Sequence, residues 1–231
     1  MAQRYGSHHG HATNNIRDMP LVKSAGRLAI SAARNPAAVG TLVPCMFRKA
    51  PWEAGEPWWN ARAVRHLESR LARLKRAWEW GCGGSTIWLA RHGIDVISAE
   101  SDPQWAEKVR ASCDADIRLY PGAGGGLLRS EPEVQDGGRH FFDGYVSAID
   151  EFTDDFDLIV IDGVCREACA RKARTKVRRG GIVVVDDTER PFAAHAADVL
   201  ADWPCERVRG FKRGGFWPHP DVAETSFFTC P

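Results

Sequence analysis

A short glycine-rich turn in this sequence has the residue types of a ligand-binding loop; it reads Glu79-Trp80-Gly81-Cys82-Gly83-Gly84-Ser85. Gly81 and Gly83 allow the backbone to turn tightly and to approach a ligand, because no Cβ stands in the way. Ser85 can cap the helix that follows, and the free amide groups at a helix N-terminus bind a carboxylate or a phosphate. The segment therefore predicts a site for a ligand with an anionic group.

The turn differs from the two common phosphate-binding loops. A dinucleotide fingerprint has three glycines, and Thr86 stands where the third would be. A P-loop ends in Gly-Lys-Ser/Thr, and this turn contains no lysine. Both loops are therefore poor descriptions of the segment.

A second acid supports the idea of a binding site. Glu100 lies 19 residues after Gly81, at the end of the next predicted strand, and Ser101 follows it. An acid at this place can accept hydrogen bonds from both hydroxyls of a ribose. The alternative is that Glu79 and Glu100 are only solvated strand ends, but the order of turn and acid after two strands favours a nucleoside-containing ligand.

The elements that position these residues follow from short apolar runs. Strands are predicted over residues 77–80, 95–99, 117–120, 157–161, 182–185, 206–211 and 225–229. Helical patterns separate most of them, and a basic helix over residues 165–178 is expected to end at Gly180-Gly181. The sequence therefore predicts an α/β fold with a doubly wound, mostly parallel seven-stranded sheet and a C-terminal antiparallel hairpin.

Three regions are expected along the chain. Residues 76–231 form the predicted α/β domain, with a long insert at residues 121–144. Residues 21–75 show helical spacing at residues 21–33 and again from Val64 to Leu74, which predicts a helical N-terminal extension. Residues 1–20 are polar and predict a flexible tail, with a metal site at His8, His9 and His11 as the alternative.

Composition limits the classes of partner. The formal net charge of the 231 residues is +1, so no strong field favours nucleic acid or an anionic membrane. Seven cysteines without a CxxC pair indicate free thiols rather than a disulfide framework or a zinc site. With no signal peptide and no apolar run of membrane-spanning length, we expect a cytoplasmic protein.

The motifs together resemble those of the class I methyltransferases that use S-adenosylmethionine (SAM). The glycine turn is similar to their first motif, and Glu100 to the acid that ends their second strand. Residues 156–163 are similar to their fourth-strand motif, and residues 179–187 to their fifth. The resemblance covers residues 76–229 and implies that Glu79, Gly81, Cys82, Gly83, Ser85, Glu100, Ser101 and Asp162 contact SAM.

Three acids at strand ends carry the predicted catalysis. Asp162 follows the fourth strand, and Asp186 and Asp187 follow the fifth, so they should converge at one edge of the sheet. An alcohol acceptor must lose its proton as the methyl group arrives, which needs a general base or a metal. The arrangement resembles metal-dependent catechol and sugar O-methyltransferases, which implies catalytic roles for Asp162 and Asp187 and Mg²⁺ held by all three acids. The alternative is that Asp162 contacts SAM or water and that Asp186 and Asp187 cap the next helix.

The predicted function is therefore SAM-dependent O-methylation of a small molecule or saccharide. Residues 161–164 lack the Asn/Asp-Pro-Pro-Tyr signature of amino methyltransferases, and no Pro-Cys pair occurs there, which disfavours DNA-base methylation. An RNA methyltransferase using the basic stretch of residues 166–179, a SAM-fold protein without catalysis and a propylamine-transfer relative remain alternatives, and a homo-oligomer stays open. Weaker candidates are His140 as a base and an aromatic wall of Trp52, Trp58 and Trp59, with His66 and His195 expected to be structural.

Overall fold

The fold is built on one seven-stranded sheet. The computed structural model describes residues 21–46, 49, 51–130, 140–153, 155–213 and 218–231, and every statement below concerns that part of the chain. The strand order is β3-β2-β1-β4-β5-β7-β6. The first five strands run parallel to one another, and β7 pairs antiparallel with both β5 and β6. This confirms the predicted doubly wound sheet and its C-terminal hairpin.

The bounds of the elements follow the hydrophobic pattern of the chain. The strands are β1 (Arg76–Trp80), β2 (Asp95–Glu100), β3 (Asp116–Leu119), β4 (Phe156–Ile161), β5 (Val177–Val185), β6 (Cys205–Arg213) and β7 (Pro218–Thr229). The helices are α1 (Leu21–Arg34), α2 (Leu42–Cys45), α3 (Pro51–Ala54), α4 (Ala61–Glu68), α5 (Gly84–Arg91), α6 (Pro103–Arg110), α7 (Asp143–Ser147), α8 (Arg166–Ala173) and α9 (Pro191–Val199). Short 3₁₀ helices lie at Pro36–Thr41, Leu71–Arg73 and Ala148–Glu151.

The sheet is covered on both faces, which explains why its central strands are almost continuously apolar. Trp78 and Trp80 of β1 point to the face covered by α7, α8 and α9. Ala77 points to the opposite face, where it packs with residues of α4 and α5 such as Leu67 and Leu89. Because side chains alternate along a strand, Glu79 lies on the same face as Ala77.

The N-terminal extension is attached to the C-terminal hairpin. Asn60 is the N-cap of α4, and its side-chain oxygen accepts hydrogen bonds from the amides of Arg62 and Ala63. Its amide group donates to the Val208 carbonyl of β6 at 2.9 Å. Asn60 also forms an isolated antiparallel bridge with Lys212 of β6. The extension is therefore connected to the sheet edge through both side chain and backbone.

The boundary between the basic helix and the next strand differs from the sequence prediction. The basic helix α8 ends at Ala173, and the chain enters β5 at Val177, so Gly180 and Gly181 lie inside a strand. Gly180 has a φ of +72°, and the pairing of β4 with β5 shifts register nearby. The two glycines make an irregularity in the strand rather than a helix end, and hydrogen bonds with Cys230 hold it in place.

The free thiols predicted from composition are seen in the structure. All seven cysteines lie in the described ranges, and all are free thiols. Within those ranges no helix has the length and apolar character needed to span a bilayer. The predicted tail with its histidine cluster lies outside the described residues.

Candidate functional site

The glycine turn joins β1 to α5 at the carboxyl edge of the sheet, and its glycines serve different neighbours. Gly81 has a φ of +92°, and a Cβ there would lie 2.9 Å from the backbone of Gly163 in the loop after β4. A Cβ on Gly84 would collide with the Glu56 carbonyl oxygen of the extension. At Gly83 the nearest heavy atom to such a Cβ, among the described residues other than its chain neighbours, is Cζ2 of Trp105, 4.0 Å away. Gly83 is therefore the glycine of these three that leaves room for a ligand.

Glu79 is a fully buried acid behind the turn. Its carboxylate accepts hydrogen bonds from the hydroxyls of Ser85, Thr86 and Ser98, the last at 2.9 Å. Burial raises the pKa of Glu79 to about 7, while the three hydroxyl groups act in the opposite direction. Glu79 was predicted to contact the cofactor, and the structure places its carboxylate in contact with the turn itself.

Ser85 does not cap α5, contrary to the sequence prediction. The helix begins at Gly84, its N-cap is Gly83, and Ser85 lies inside the first turn. The Thr86 hydroxyl accepts the amide hydrogen of Gly83 at 2.8 Å and thereby takes the capping role. From the first turn of α5, the Ser85 hydroxyl instead donates a hydrogen bond to Glu79 near the end of β1.

Glu100, at the end of β2, is bound to the turn through backbone amides. Its Oε2 accepts from the Cys82 amide at 3.0 Å, and its Oε1 accepts from the amides of Ser101 at 2.6 Å and Asp102 at 2.8 Å. Trp105 of α6 holds the other side of the turn, since its indole Nε1 donates to the Cys82 carbonyl at 2.6 Å. The predicted pair of glycine turn and strand-end acid thus forms one hydrogen-bonded unit.

The three predicted acids converge, as expected from their places after β4 and β5. One carboxylate oxygen from each of Asp162, Asp186 and Asp187 lies within 4.8 Å of the other two. Asp186 and Asp187 are buried, whereas the Asp162 side chain is 20% exposed. Asp162 is therefore the acid of this centre that solvent or an acceptor can reach most readily. Asp187 has a φ of +59°, and α9 begins only at Pro191, so neither Asp186 nor Asp187 caps that helix.

Two basic side chains are paired with the three acids of this centre. The buried Lys212 ammonium donates to Asp187 Oδ1 at 2.6 Å and to Asp186 Oδ2 at 2.8 Å. Arg166, also buried, donates to Asp162 Oδ1 at 3.0 Å and to the carbonyls of Asp186 and Gly163. The Thr225 hydroxyl completes the set by donating to Asp186 Oδ1 at 2.6 Å.

Asp186 and Asp187 share Lys212, but their pKa values shift in opposite directions. Burial raises the pKa of Asp186 to about 8, Lys212 opposes the shift, and Asp187 and Asp162 add to it. Burial alone would also raise the pKa of Asp187, but Lys212, Arg166 and Arg190 outweigh it and hold that pKa below its ordinary value. Burial would lower the pKa of Lys212, but the surrounding carboxylates outweigh it and raise the pKa. Lys212 therefore stays charged at neutral pH.

The extension reaches the acidic centre through Trp59. The Trp59 indole Nε1 donates to Asp162 Oδ2 at 3.3 Å, and Trp59 is itself buried. Beside it, Trp58 donates to the Arg213 carbonyl at 2.8 Å, and Glu56 forms an ion pair with the Arg213 guanidinium. Trp52 lies elsewhere, with its ring centroid 4.7 Å from that of Trp105. The three tryptophans therefore contact different partners in the α/β domain and its hairpin.

Sequence reasoning missed three residues of the site: Trp105, Arg166 and Lys212. Arg166 belongs to the basic stretch considered above for RNA, and it pairs with Asp162 across the loop between β4 and α8 rather than along a helix. Nothing in the local sequence separates Lys212 from other basic residues of the hairpin. His140, the predicted base, lies against Gly122 in the insert. His66 of α4 packs on the ring of Phe227 in β7, as expected for a structural residue.

The remaining basic residues of the stretch 166–179 are largely paired with acids. Arg171 contacts Glu167, Lys172 contacts Asp150, Arg174 contacts Asp202, and Arg178 contacts Asp157. Arg178 belongs to β5 rather than to the helix. The stretch is therefore a set of local ion pairs spread over two elements.

Comparisons with known proteins agree with this architecture. No protein-family model matches the sequence, and a search of curated proteins gave no match. Among solved structures, an O-methyltransferase from Bacillus cereus in complex with S-adenosylhomocysteine (SAH) is similar at a TM-score of 0.50 and 17% identity, over 94% of this chain and 96% of that one. A precorrin 8w decarboxylase from Methanobacterium thermoautotrophicum is similar at a TM-score of 0.50 and 17% identity, over 80% of this chain and 97% of that one. This chain therefore has the fold of the class I SAM-dependent methyltransferases.

Proposed function

We propose that this chain is a SAM-dependent methyltransferase that acts on a hydroxyl group of a small molecule or saccharide. The observation that carries the proposal is the unit formed by the glycine turn and Glu100 at the carboxyl ends of β1 and β2. Ligands of open α/β sheets bind outside these strand ends, at the point where the strand order reverses. In this sheet that point lies between β1 and β4.

The residues present fit SAM at this place. The space beside Gly83 would accept the methionine part, and Glu100, at the end of β2 beside the turn, would accept the ribose hydroxyls. When bound, SAM supplies an electrophilic methyl group on a positively charged sulfur. Glu79 would keep the turn in shape, because it is tied to three hydroxyl groups on β2 and α5.

Asp162 is the acid we assign to the acceptor. Its two carboxylate oxygens are oriented by Trp59 and Arg166, and its side chain is the most exposed of the three acids. A carboxylate oxygen can accept a second hydrogen bond, so Asp162 can take the proton of an acceptor hydroxyl as the methyl group is transferred. The Bacillus cereus structure, which is named an O-methyltransferase, supports an oxygen acceptor by analogy of fold.

Calorimetric titration with SAM and SAH tests the cofactor assignment. We expect wild-type protein to bind both below millimolar concentration, and Glu100→Gln to weaken SAM binding at least about tenfold, because a charged acceptor contributes roughly 1.5–3 kcal/mol. Glu107→Gln, which makes the same change on the exposed face of α6, is the matched control and should bind as wild type does.

Two results would contradict the proposal. If neither SAM nor SAH binds below millimolar concentration, the cofactor assignment is wrong. If SAM binds but incubation with catechols, phenols and saccharides yields products methylated only at nitrogen or carbon, the oxygen acceptor is wrong. Circular dichroism of Glu100→Gln separates lost ligand contacts from a disordered turn.

A further inference from the structure

The acidic centre already contains a cation, and that cation belongs to the chain. The Lys212 ammonium lies between Asp186 and Asp187 at 2.8 and 2.6 Å, the distances of charge-assisted hydrogen bonds. The third acid, Asp162, is paired with Arg166. Each of the three carboxylates that a metal would use is therefore bound to a basic side chain.

The position of Lys212 is determined by the backbone on both sides. The β6–β7 pairing shifts register between Phe211 and Arg213, and Lys212 is the residue at this irregularity. Such irregularities redirect a side chain, and they are frequent next to functional sites. On its other side Lys212 bridges to Asn60, whose side chain is bound to Val208 on the same strand. The lysine is held in the acidic centre by the sheet and by the extension together.

The acids are arranged for this ammonium. Asp187 adopts a left-handed backbone conformation, which is uncommon for a residue with a side chain. Asp186 is bound to Lys212 through one oxygen and to Thr225 through the other. A divalent ion coordinated by the same oxygens would have to sit close to the buried ammonium, and the two positive charges would repel each other.

We propose that Lys212 occupies the cation position of the centre formed by Asp162, Asp186 and Asp187, and that it thereby keeps divalent metal out. Lys212 is then a positioning residue, which fixes Asp186 and Asp187 and leaves Asp162 to face the acceptor. The proposal replaces the metal-assisted mechanism suggested by the sequence. It does not depend on the identity of the cofactor, because it can be tested by metal binding alone.

Titration with Mn²⁺, followed by electron paramagnetic resonance of the free ion, tests the proposal. We expect wild-type protein and Lys75→Ala, which removes an exposed lysine, to show no stoichiometric binding up to millimolar Mn²⁺. Lys212→Ala should gain one Mn²⁺ site that is at least about tenfold tighter than any binding by wild type. Adding Asp187→Asn to Lys212→Ala should abolish the gain.

Two outcomes would overturn the proposal. Wild-type protein that binds one Mn²⁺, with binding lost in Asp187→Asn, would show that metal and lysine coexist. A folded Lys212→Ala that binds no more Mn²⁺ than wild type would show that the lysine is not what keeps metal out. If Lys212→Ala does not fold alone, Lys212→Ser is refolded with and without Mn²⁺; recovery only with the ion supports the proposal, and the wild-type titration tests it independently.

Discussion

Glu79 and Glu100 lie at the ends of neighbouring strands, but their hydrogen-bond partners assign them different tasks. Glu79 is bound by hydroxyl groups and is fully enclosed, so it supports the turn from behind. Glu100 is bound by backbone amides of the turn and of its own strand end, so it joins β1 to β2 at the place where the ligand is expected. Identical side chains thus have a structural task in one case and a proposed binding task in the other.

The raised pKa of Glu79 predicts a loss of stability with increasing pH. The unfolded carboxyl ionises near pH 4.5 and the folded one near pH 7, so the free energy of unfolding falls between these values and the deficit persists above them. The Glu79→Gln variant lacks this carboxyl. Between pH 5 and pH 8 its free energy of unfolding should therefore fall by about 2 to 3 kcal/mol less than that of wild type. Urea denaturation at several pH values measures the difference.

Asp186, whose pKa is also raised, titrates in both proteins and cancels in this comparison. Glu107→Gln is again the control, because its exposed carboxyl should leave the pH dependence of wild type unchanged. Parallel curves for wild type and Glu79→Gln would show that the buried carboxyl does not carry the pH dependence.

At the scale of elements, the site depends on how closely the loops after β1 and β4 approach each other. The Gly81 amide donates to the Ala99 carbonyl, and the Asp162 amide donates to the Trp80 carbonyl, so the two loops continue the sheet hydrogen bonds beyond the strand ends. Gly81 then meets the Gly163 backbone without room for a Cβ. The distance between the turn and Asp162 is therefore set by backbone packing.

Gly81→Ala tests this packing, with Gly93→Ala as a matched control. Both glycines have positive φ, at +92° and +77°, so an alanine pays a similar conformational cost of about 1–2 kcal/mol at each. Only at Gly81 would the new Cβ also collide with the Gly163 backbone, whereas at Gly93 no atom of the described residues lies within 4 Å of it. Thermal unfolding should show the larger loss for Gly81→Ala, and calorimetry should show weaker SAM binding for that variant alone.

Equal losses of stability in the two variants would mean that the loops can separate at little cost. Unchanged SAM affinity in a folded Gly81→Ala would mean that the turn is not the cofactor loop.

At the scale of the whole molecule, the extension and the hairpin complete the site from outside the parallel part of the sheet. Trp59 of the extension contacts Asp162, and Lys212 of the hairpin contacts Asp186 and Asp187. Asn60 connects extension and hairpin, and Arg27 of α1 forms an ion pair with Asp221 of β7. The proposed acceptor side is therefore formed by segments from both ends of the chain.

Substitution of Asn60 tests whether these parts unfold together. Asn60→Ala removes both the cap of α4 and the bond to Val208 and should lower the free energy of unfolding by about 2–3 kcal/mol. Asn60→Ser retains a capping oxygen and should lose less than the alanine variant. Tryptophan fluorescence and circular dichroism should report one shared transition in urea, because the extension and the sheet are held by common buried contacts.

Separate transitions for the two probes would contradict this expectation and would make the extension an independent unit. Equal effects of serine and alanine would assign the whole loss to the bond with β6.

The sequence by itself determined the order of strands and helices, the glycine turn and the place of the strand-end acids. These features follow from short-range rules: apolar runs define buried strands, and residues after successive parallel strands meet at one edge of the sheet. For that reason the sequence predicted that Glu100, Asp162, Asp186 and Asp187 lie at strand ends along one edge of the sheet. The end of α8 was misplaced, because a glycine pair inside a strand has the same local signature as a helix end.

Only the tertiary structure decided what each of these residues contacts. The Ser85 hydroxyl donates to Glu79 because the start of α5 lies over the end of β1. A side chain at position 84 would collide with the backbone of the extension, so Gly84 has no Cβ. Lys212 reached Asp187 from 25 residues away in the chain. Charge pairing of this kind depends on the register of a hairpin and the path of a distant segment, which no local pattern encodes. Thus the sequence revealed three acids suited to a cation, and the fold supplied the lysine that lies between two of them.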